Sequence, residues 1–144
     1  MSYSFFGTCS NDYDQFISCL KTIVDQNFKP RQVILINSGD KNIEKLIKKL
    51  INKNQIELIY IEKKLPRVNA LNLALDYSDS KFSFRFDSRS RFEKDYAENV
   101  LKTFNDETIN ANIVGGSPKV IPQSNTFESK LCASLMSRSY LFFY

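Results

Sequence analysis

Residues 33–36 read Val-Ile-Leu-Ile and offer no polar face. Four residues are too few for a buried helix, and β-branched side chains favour the extended chain. A strand that is apolar on both sides has to be covered on both sides, as strands are in a parallel sheet held between helices. The flanking segments have the period of such helices. From about Asp12 to Asn27, the residues Phe16, Ile17, Leu20, Ile23 and Val24 recur at helical spacing. Asn11 or Asp12 is placed to cap this helix and Lys29-Pro30 to stop it. From about Asn42 to Asn52, a second stripe of Ile43, Leu46, Ile47, Leu50 and Ile51 faces inward with lysines opposite.

The alternation continues along the chain. Ser4 to Gly7 is a first strand, and the polar loop Thr8 to Asn11 follows it. Ile56 to Ile61 is a third strand, and Glu62 to Pro66 a charged loop. Arg67 to Tyr77 is a helix with Val68, Leu71, Ala74 and Leu75 on one side. Phe82 to Phe86 is a fourth strand with Phe82, Phe84 and Phe86 on one face. Glu93 to Phe104 is a helix with Tyr96, Ala97, Val100, Leu101 and Phe104 inward. Ile113 to Gly116 is expected as a fifth, shorter strand, and Pro118 to Pro122 as extended chain. Thr126 is expected to cap a last helix running to the C-terminus. Successive strand–helix units with strands buried on both faces mean an α/β fold, a mainly parallel sheet with helices on both faces. With no linker or repeat, residues 1–144 are expected to form one domain.

Composition removes several function classes. There is no histidine, so histidine-based acid–base catalysis and most zinc sites are excluded. The three cysteines, Cys9, Cys19 and Cys132, have no paired metal spacing and suggest buried thiols in a reducing compartment. The expected setting is the cytoplasm, with the inner face of the membrane as an alternative. The net charge of +4 is mild. Lys41, Lys45, Lys48, Lys49, Lys53 and Lys63 cluster around one helix, without interleaved aromatics, so no nucleic-acid partner is expected. No apolar run approaches the roughly 20 residues that span a membrane. The run Tyr140-Leu-Phe-Phe-Tyr144 is expected to pack under the domain, to meet a partner or a membrane surface, or to lead into a longer natural sequence.

In such a sheet the loops after successive strands share one edge, where ligands bind. That edge collects Thr8 to Asn11, Asn37 to Asp40, Glu62 to Arg67 and Asp87 to Arg91. Hydroxyls and amides suit a sugar or a base, and arginines hold phosphate through two parallel bonds. The set fits a sugar phosphate or nucleotide better than an apolar ligand. A structural reading stands beside this one. Asn37-Ser-Gly-Asp can be a turn and helix cap, Asn72 a core amide, Asp87 a cap for the next turn, and Arg89 and Arg91 surface charges. Neither GxGxxG nor GxxxxGK[ST] is present, so dinucleotide and P-loop sites are not expected.

The order of segments resembles the nucleotide-binding half of family 2 glycosyltransferases, which have the GT-A fold. Thr8-Cys9-Ser10-Asn11 occupies the place of that family's Pro-Thr-Tyr-Asn segment. Val24-Asp-Gln26-Asn-Phe-Lys-Pro30 is similar to an Ile-Leu-x-Gln-x-Tyr-x-Pro helix ending, and Val33 to Asp40 to a strand ending Val-Asp-Asp-Gly-Ser. Ala70-Leu-Asn72-Leu-Ala74 resembles Ala-Arg-Asn-x-Gly, and Phe82 to Ser90 is in register with the strand leading into the Asp-x-Asp motif. Arg85, Asp87, Tyr96 and Val114-Gly115-Gly116 carry a closer likeness to the branch that builds succinoglycan-type polysaccharides.

The resemblance implies that Thr8, Ser10, Asn11, Asn37 and Ser38 lie at the base, that Arg67 and Asn72 approach the nucleotide, and that Asp87 reaches the ribose and a metal. It implies Mg²⁺ or Mn²⁺ as cofactor, a UDP-, GDP- or TDP-linked sugar as donor, and a glycan acceptor. The reaction would be an inverting transfer to a surface polysaccharide or lipid-linked glycan. Two departures qualify this. Arg89 stands where the family has its last metal-binding aspartate, and an arginine cannot ligate a cation, though it can offset diphosphate charge directly. No residue matches the catalytic base of the family's acceptor half, so the chain reads as truncated. A non-catalytic nucleotide-sugar-binding or interaction module is the alternative.

Overall fold

The computed structural model describes residues 2–109, 111–116, 119–122 and 124–139. Four strands, β1 (Tyr3–Cys9), β2 (Gln32–Asn37), β3 (Glu57–Glu62) and β4 (Phe82–Asp87), form one sheet in the order β3-β2-β1-β4. Every pairing is parallel. The helices are α1 (Tyr13–Val24), α2 (Glu44–Ile51), α3 (Arg67–Asp76), α4 (Tyr96–Phe104) and α5 (Phe127–Ser139). A short 3-10 turn, Asn52–Asn54, follows α2. The chain divides into two compact units, Met1–Lys102 and Thr103–Tyr144.

β2 is buried along its whole length, as a strand without a polar face requires. The sheet's faces follow from its register. Phe6, Ile34 and Arg85 are aligned, as are Thr8, Ile36 and Asp87, so these six share one face. That face is covered by α3, whose Ala70 and Ala74 join Phe6, Ile34 and Ile36 in one buried cluster. The opposite face carries Tyr3, Phe5, Phe84 and Phe86, and there the Phe16 ring of α1 meets Phe86 at 5.8 Å. The crossover through α1 and the crossover from β3 to β4 run in opposite directions along the sheet. Right-handed connections then place their helices on opposite faces. Gly7 lies under the Phe86 ring, and a Cβ there would stand 2.6 Å from both the ring and the Phe86 carbonyl.

Several expected details differ. Leu46 is 49% exposed, Val68 67% and Leu75 45%. On α3 the sheet is met by Ala74, as expected, and by Ala70, with Leu71 and Leu73 part-buried beside them, because small residues let the helix lie close. Ile113 to Gly116 forms no strand, and Ile113 is 88% exposed. Two apolar residues followed by two glycines bury too little to hold an extended segment. Thr126 does cap α5, its hydroxyl accepting from the Ser129 N–H at 3.3 Å. Cys9 and Cys19 are buried, but Cys132 is exposed. Pro118 and Tyr140 to Tyr144 lie outside the described residues. Among the described residues no helix is long and apolar enough to cross a membrane.

Candidate functional site

In the order β3-β2-β1-β4 the chain first moves one way from β1 and then returns to its other side. The carboxyl ends of β1 and β4 therefore flank the point where connections diverge, and a crevice opens there in α/β sheets. Thr8 and Asp87 are paired neighbours at that point, on the face covered by α3. Arg67 is the first residue of α3, and its guanidinium is ion-paired with Asp87 Oδ1. Arg85, two residues before Asp87 and so on the same face of β4, reaches Asp87 Oδ2 at 3.3 Å. The side chains are 62%, 52% and 45% exposed for Arg67, Arg85 and Asp87. Pairs that open to water contribute about 0–1 kcal/mol each, so this cluster does little to hold the fold and is cheap to rearrange.

Asp87 also opens a turn, closed by the Ser90 N–H on the Asp87 carbonyl at 2.8 Å. Ser88 in this turn donates its hydroxyl to Asp12 Oδ2. Asp12 Oδ1 accepts from the Ser10 N–H at 3.2 Å and from the Cys9 thiol at 3.7 Å. The Asp12 side chain thus ties the β1 loop to the β4 turn and makes no capping bond to α1, contrary to expectation. Burial pushes the Asp12 carboxyl up, but its hydrogen bonds from Ser88 and the Ser10 N–H outweigh that and hold it below its usual range. Burial, then the Asp12 charge, pushes the Cys9 thiol up to about 12, so it is a neutral donor. Arg91 bonds the Ser90 carbonyl at 2.7 Å and Gln15 Oε1 at 2.9 Å. Arg89 is exposed and makes no hydrogen bond or ion pair among the described residues.

The loops after β1 and β2 are joined. Asn11 donates to Asp40 Oδ2 at 3.2 Å and accepts from the Asp40 N–H at 3.1 Å. Gly39 is required by this approach, because a Cβ there would run into the Tyr13 hydroxyl and the Ser10 carbonyl. Ser38 donates its N–H to the Cys9 carbonyl at 2.8 Å and its hydroxyl to the Lys63 carbonyl at 2.9 Å. Asn37 is only 2% exposed. Its amide nitrogen donates to the Lys41 carbonyl at 2.7 Å and to the Tyr60 hydroxyl at 2.8 Å, and its oxygen accepts from the Gly39 N–H at 3.0 Å. Asn37 therefore shapes the turn, and it also lines the cleft beside it. An open cleft of about 320 Å³ lies between Gly39–Asn42 and Glu62–Lys64. It is crossed by the exposed pair Lys64–Asp40 at 2.7 Å and lies along the β2–β3 side of the edge.

The structure thus gathers Thr8, Arg67 and Asp87 at the switch point, with Arg89 in the adjoining turn, and places Ser10, Asn11 and Ser38 in the neighbouring loops. Asn72 is exposed on α3 and is no core amide. It lies about 7.5 Å along the helix from Arg67 and is not brought into the group. Three residues outside the expected set matter. Arg85 was legible from its spacing to Asp87, Asp12 only as a cap, and Tyr60 not at all.

A divalent cation is what the resemblance places on Asp87. Here that carboxylate is engaged by two guanidinium groups, and a third arginine follows it. Among the described residues no group of three or more histidine, cysteine or acidic side chains could hold a metal ion. The donor set does not fit a divalent cation, which seeks several oxygen ligands.

The family model for glycosyl transferase family 2 matches residues 6–141. Among solved structures, S. aureus TarS 1–349 is similar at a TM-score of 0.64 and 15% identity, over 81% of this chain and 39% of that one. The same TarS fragment in complex with UDP-GlcNAc gives 0.63 and 16%, over 81% and 38%. A further TarS structure gives 0.64 and 14%, over 86% and 24%. At these identities the likeness is one of fold, that of GT-A glycosyltransferases, and the chain spans less than two fifths of either TarS chain's length. No curated protein is significantly similar to the chain.

Proposed function

The chain belongs to glycosyl transferase family 2, and from that premise we propose that it binds a nucleotide-diphosphate sugar at the carboxyl ends of β1 and β4. The observation that carries this reading is the pairing of Thr8 with Asp87 at the switch point, with Arg67 and Arg85 on the same carboxylate. The base lies toward Thr8, Ser10 and Ser38, the ribose at Asp87, and the diphosphate among the arginines. TarS forms complexes with UDP and with UDP-GlcNAc, which makes uridine nucleotides the first probes to use. The reaction served is an inverting transfer to a surface polysaccharide or lipid-linked glycan in the cytoplasm, and Arg85, Tyr96 and Val114-Gly115-Gly116 support a succinoglycan-type branch. A second reading, a nucleotide-sugar-binding module without catalysis, is favoured by one observation. No residue of 1–144 matches the catalytic base of the family's acceptor half.

Thermal unfolding with UDP, GDP and TDP tests this. A ligand that binds only the native state stabilises it by about 2.7 kcal/mol at a hundredfold excess over Kd. At least one nucleotide is expected to raise Tm, and Asp87→Ala is expected to abolish the rise. No rise with any of them at millimolar concentration would sink both readings. A rise without turnover of any sugar donor would favour the binding module.

A further inference from the structure

The charge at the switch point suits an anion held without a metal. We infer that the chain binds its diphosphate directly through guanidinium groups, with Arg89 taking the position and the electrostatic part of a divalent cation. This rests on the nucleotide-diphosphate reading above.

Asp87 is bonded to Arg67 and, at 3.3 Å, to Arg85. Arg89 lies in the turn that Asp87 opens, is exposed, and has no protein partner among the described residues. Around the turn, Arg67, Arg85, Arg89 and Arg91 therefore stand against the carboxylates of Asp87 and Asp12, an excess of two positive charges. A diphosphate answers that excess, whereas a dication adds to it, and the repulsion grows as the site closes and water leaves. Each guanidinium can hold two phosphate oxygens in parallel, which an ammonium cannot do. The ion pairs with Asp87 bring Arg67 and Arg85 to one carboxylate and, being open to water, are cheap to exchange for phosphate oxygens. Arg89 keeps its hydrogen-bonding capacity free.

Calorimetric titration of the full chain with UDP and with inorganic pyrophosphate, in EDTA and then in Mn²⁺, tests the inference. Both probes are expected to bind in EDTA with affinities within about threefold of those in Mn²⁺. Because Arg89 has no partner among the described residues, Arg89→Ala should fold as the parent does and bind both probes at least about tenfold more weakly. Arg89→Lys should recover only part of the loss. The inference is overturned if EDTA abolishes binding, or if Arg89→Ala binds like the parent. Pyrophosphate makes the two levels separable. UDP binding that needs Mn²⁺ leaves the nucleotide reading standing and removes this one. Pyrophosphate binding in EDTA with no response to UDP, GDP or TDP supports the arginine site and removes the nucleotide reading.

Discussion

Asn37 ends β2 and Asp87 ends β4, on either side of β1 at the same sheet edge, yet they do opposite things. Asp87 is part-exposed and held by Arg67 and Arg85, while Asn37 is buried and spends its side-chain hydrogen bonds on its own turn and on Tyr60 of β3. The sequence shows a polar residue at each strand end and does not show which way either points. Arg85 was within reach of sequence reasoning, since residues two apart on a strand share a face. The Arg67–Asp87 pair was not, because it depends on where α3 begins relative to the end of β4. Asn37 also explains why an acid is absent there. An aspartate could not donate to the Lys41 carbonyl or the Tyr60 hydroxyl and would be a buried anion. Asn37→Asp is therefore expected to cost about 2–3 kcal/mol in urea denaturation. It should also loosen the 38–42 turn, seen as faster amide exchange at Gly39, whose N–H bonds the Asn37 side chain at 3.0 Å. Unchanged stability would show that the Asn37 amide does not build the turn.

At the level of elements, four strand–helix pairs were legible because each helix has a buried stripe and each strand an apolar run. What failed were segments whose apolar residues find no surface, such as Ile113 to Gly116, and the choice between two apolar sides of α3. The join between α1 and α4 was invisible in another way. Gln26, fully buried just past α1, donates to the Glu93 carbonyl at 2.7 Å and the Thr22 carbonyl at 3.1 Å, and accepts from the Ala97 N–H at 3.0 Å. The Asn27 N–H donates to the Lys94 carbonyl at 2.8 Å and the Phe92 N–H to the Thr22 hydroxyl at 3.2 Å. These bonds fix the segment that leads from the Asp87 turn into α4. They also give a physical reason for the glutamine in the Val24 to Pro30 segment. Gln26→Ala is expected to lose about 2–3 kcal/mol, since buried backbone groups are left unpaired. Amide exchange at Ala97 should accelerate more than exchange in β2. A uniform change across the chain would mean that the glutamine matters only for global stability.

For the molecule as a whole, the two compact units differ in what they bury. Every buried apolar side chain described, apart from Ala133, precedes Lys102. The first unit contains the whole sheet, both helical layers and every residue proposed to meet the nucleotide. In the second, α5 leaves Phe127 76%, Leu131 47% and Leu135 56% exposed at a spacing of four. Stability follows the apolar area removed from water, at about 25 cal/mol per Å², so the first unit should hold nearly all of it. A chain ending after Phe104, which keeps α4 entire, is then expected to unfold in one cooperative transition. Its Tm should lie within about 10 °C of the full chain, and its response to pyrophosphate should be the same. Circular dichroism melts and the same titration check this. Loss of the transition would mean that residues beyond Phe104 supply core that the first unit lacks. A kept transition with lost binding would mean that they supply part of the site.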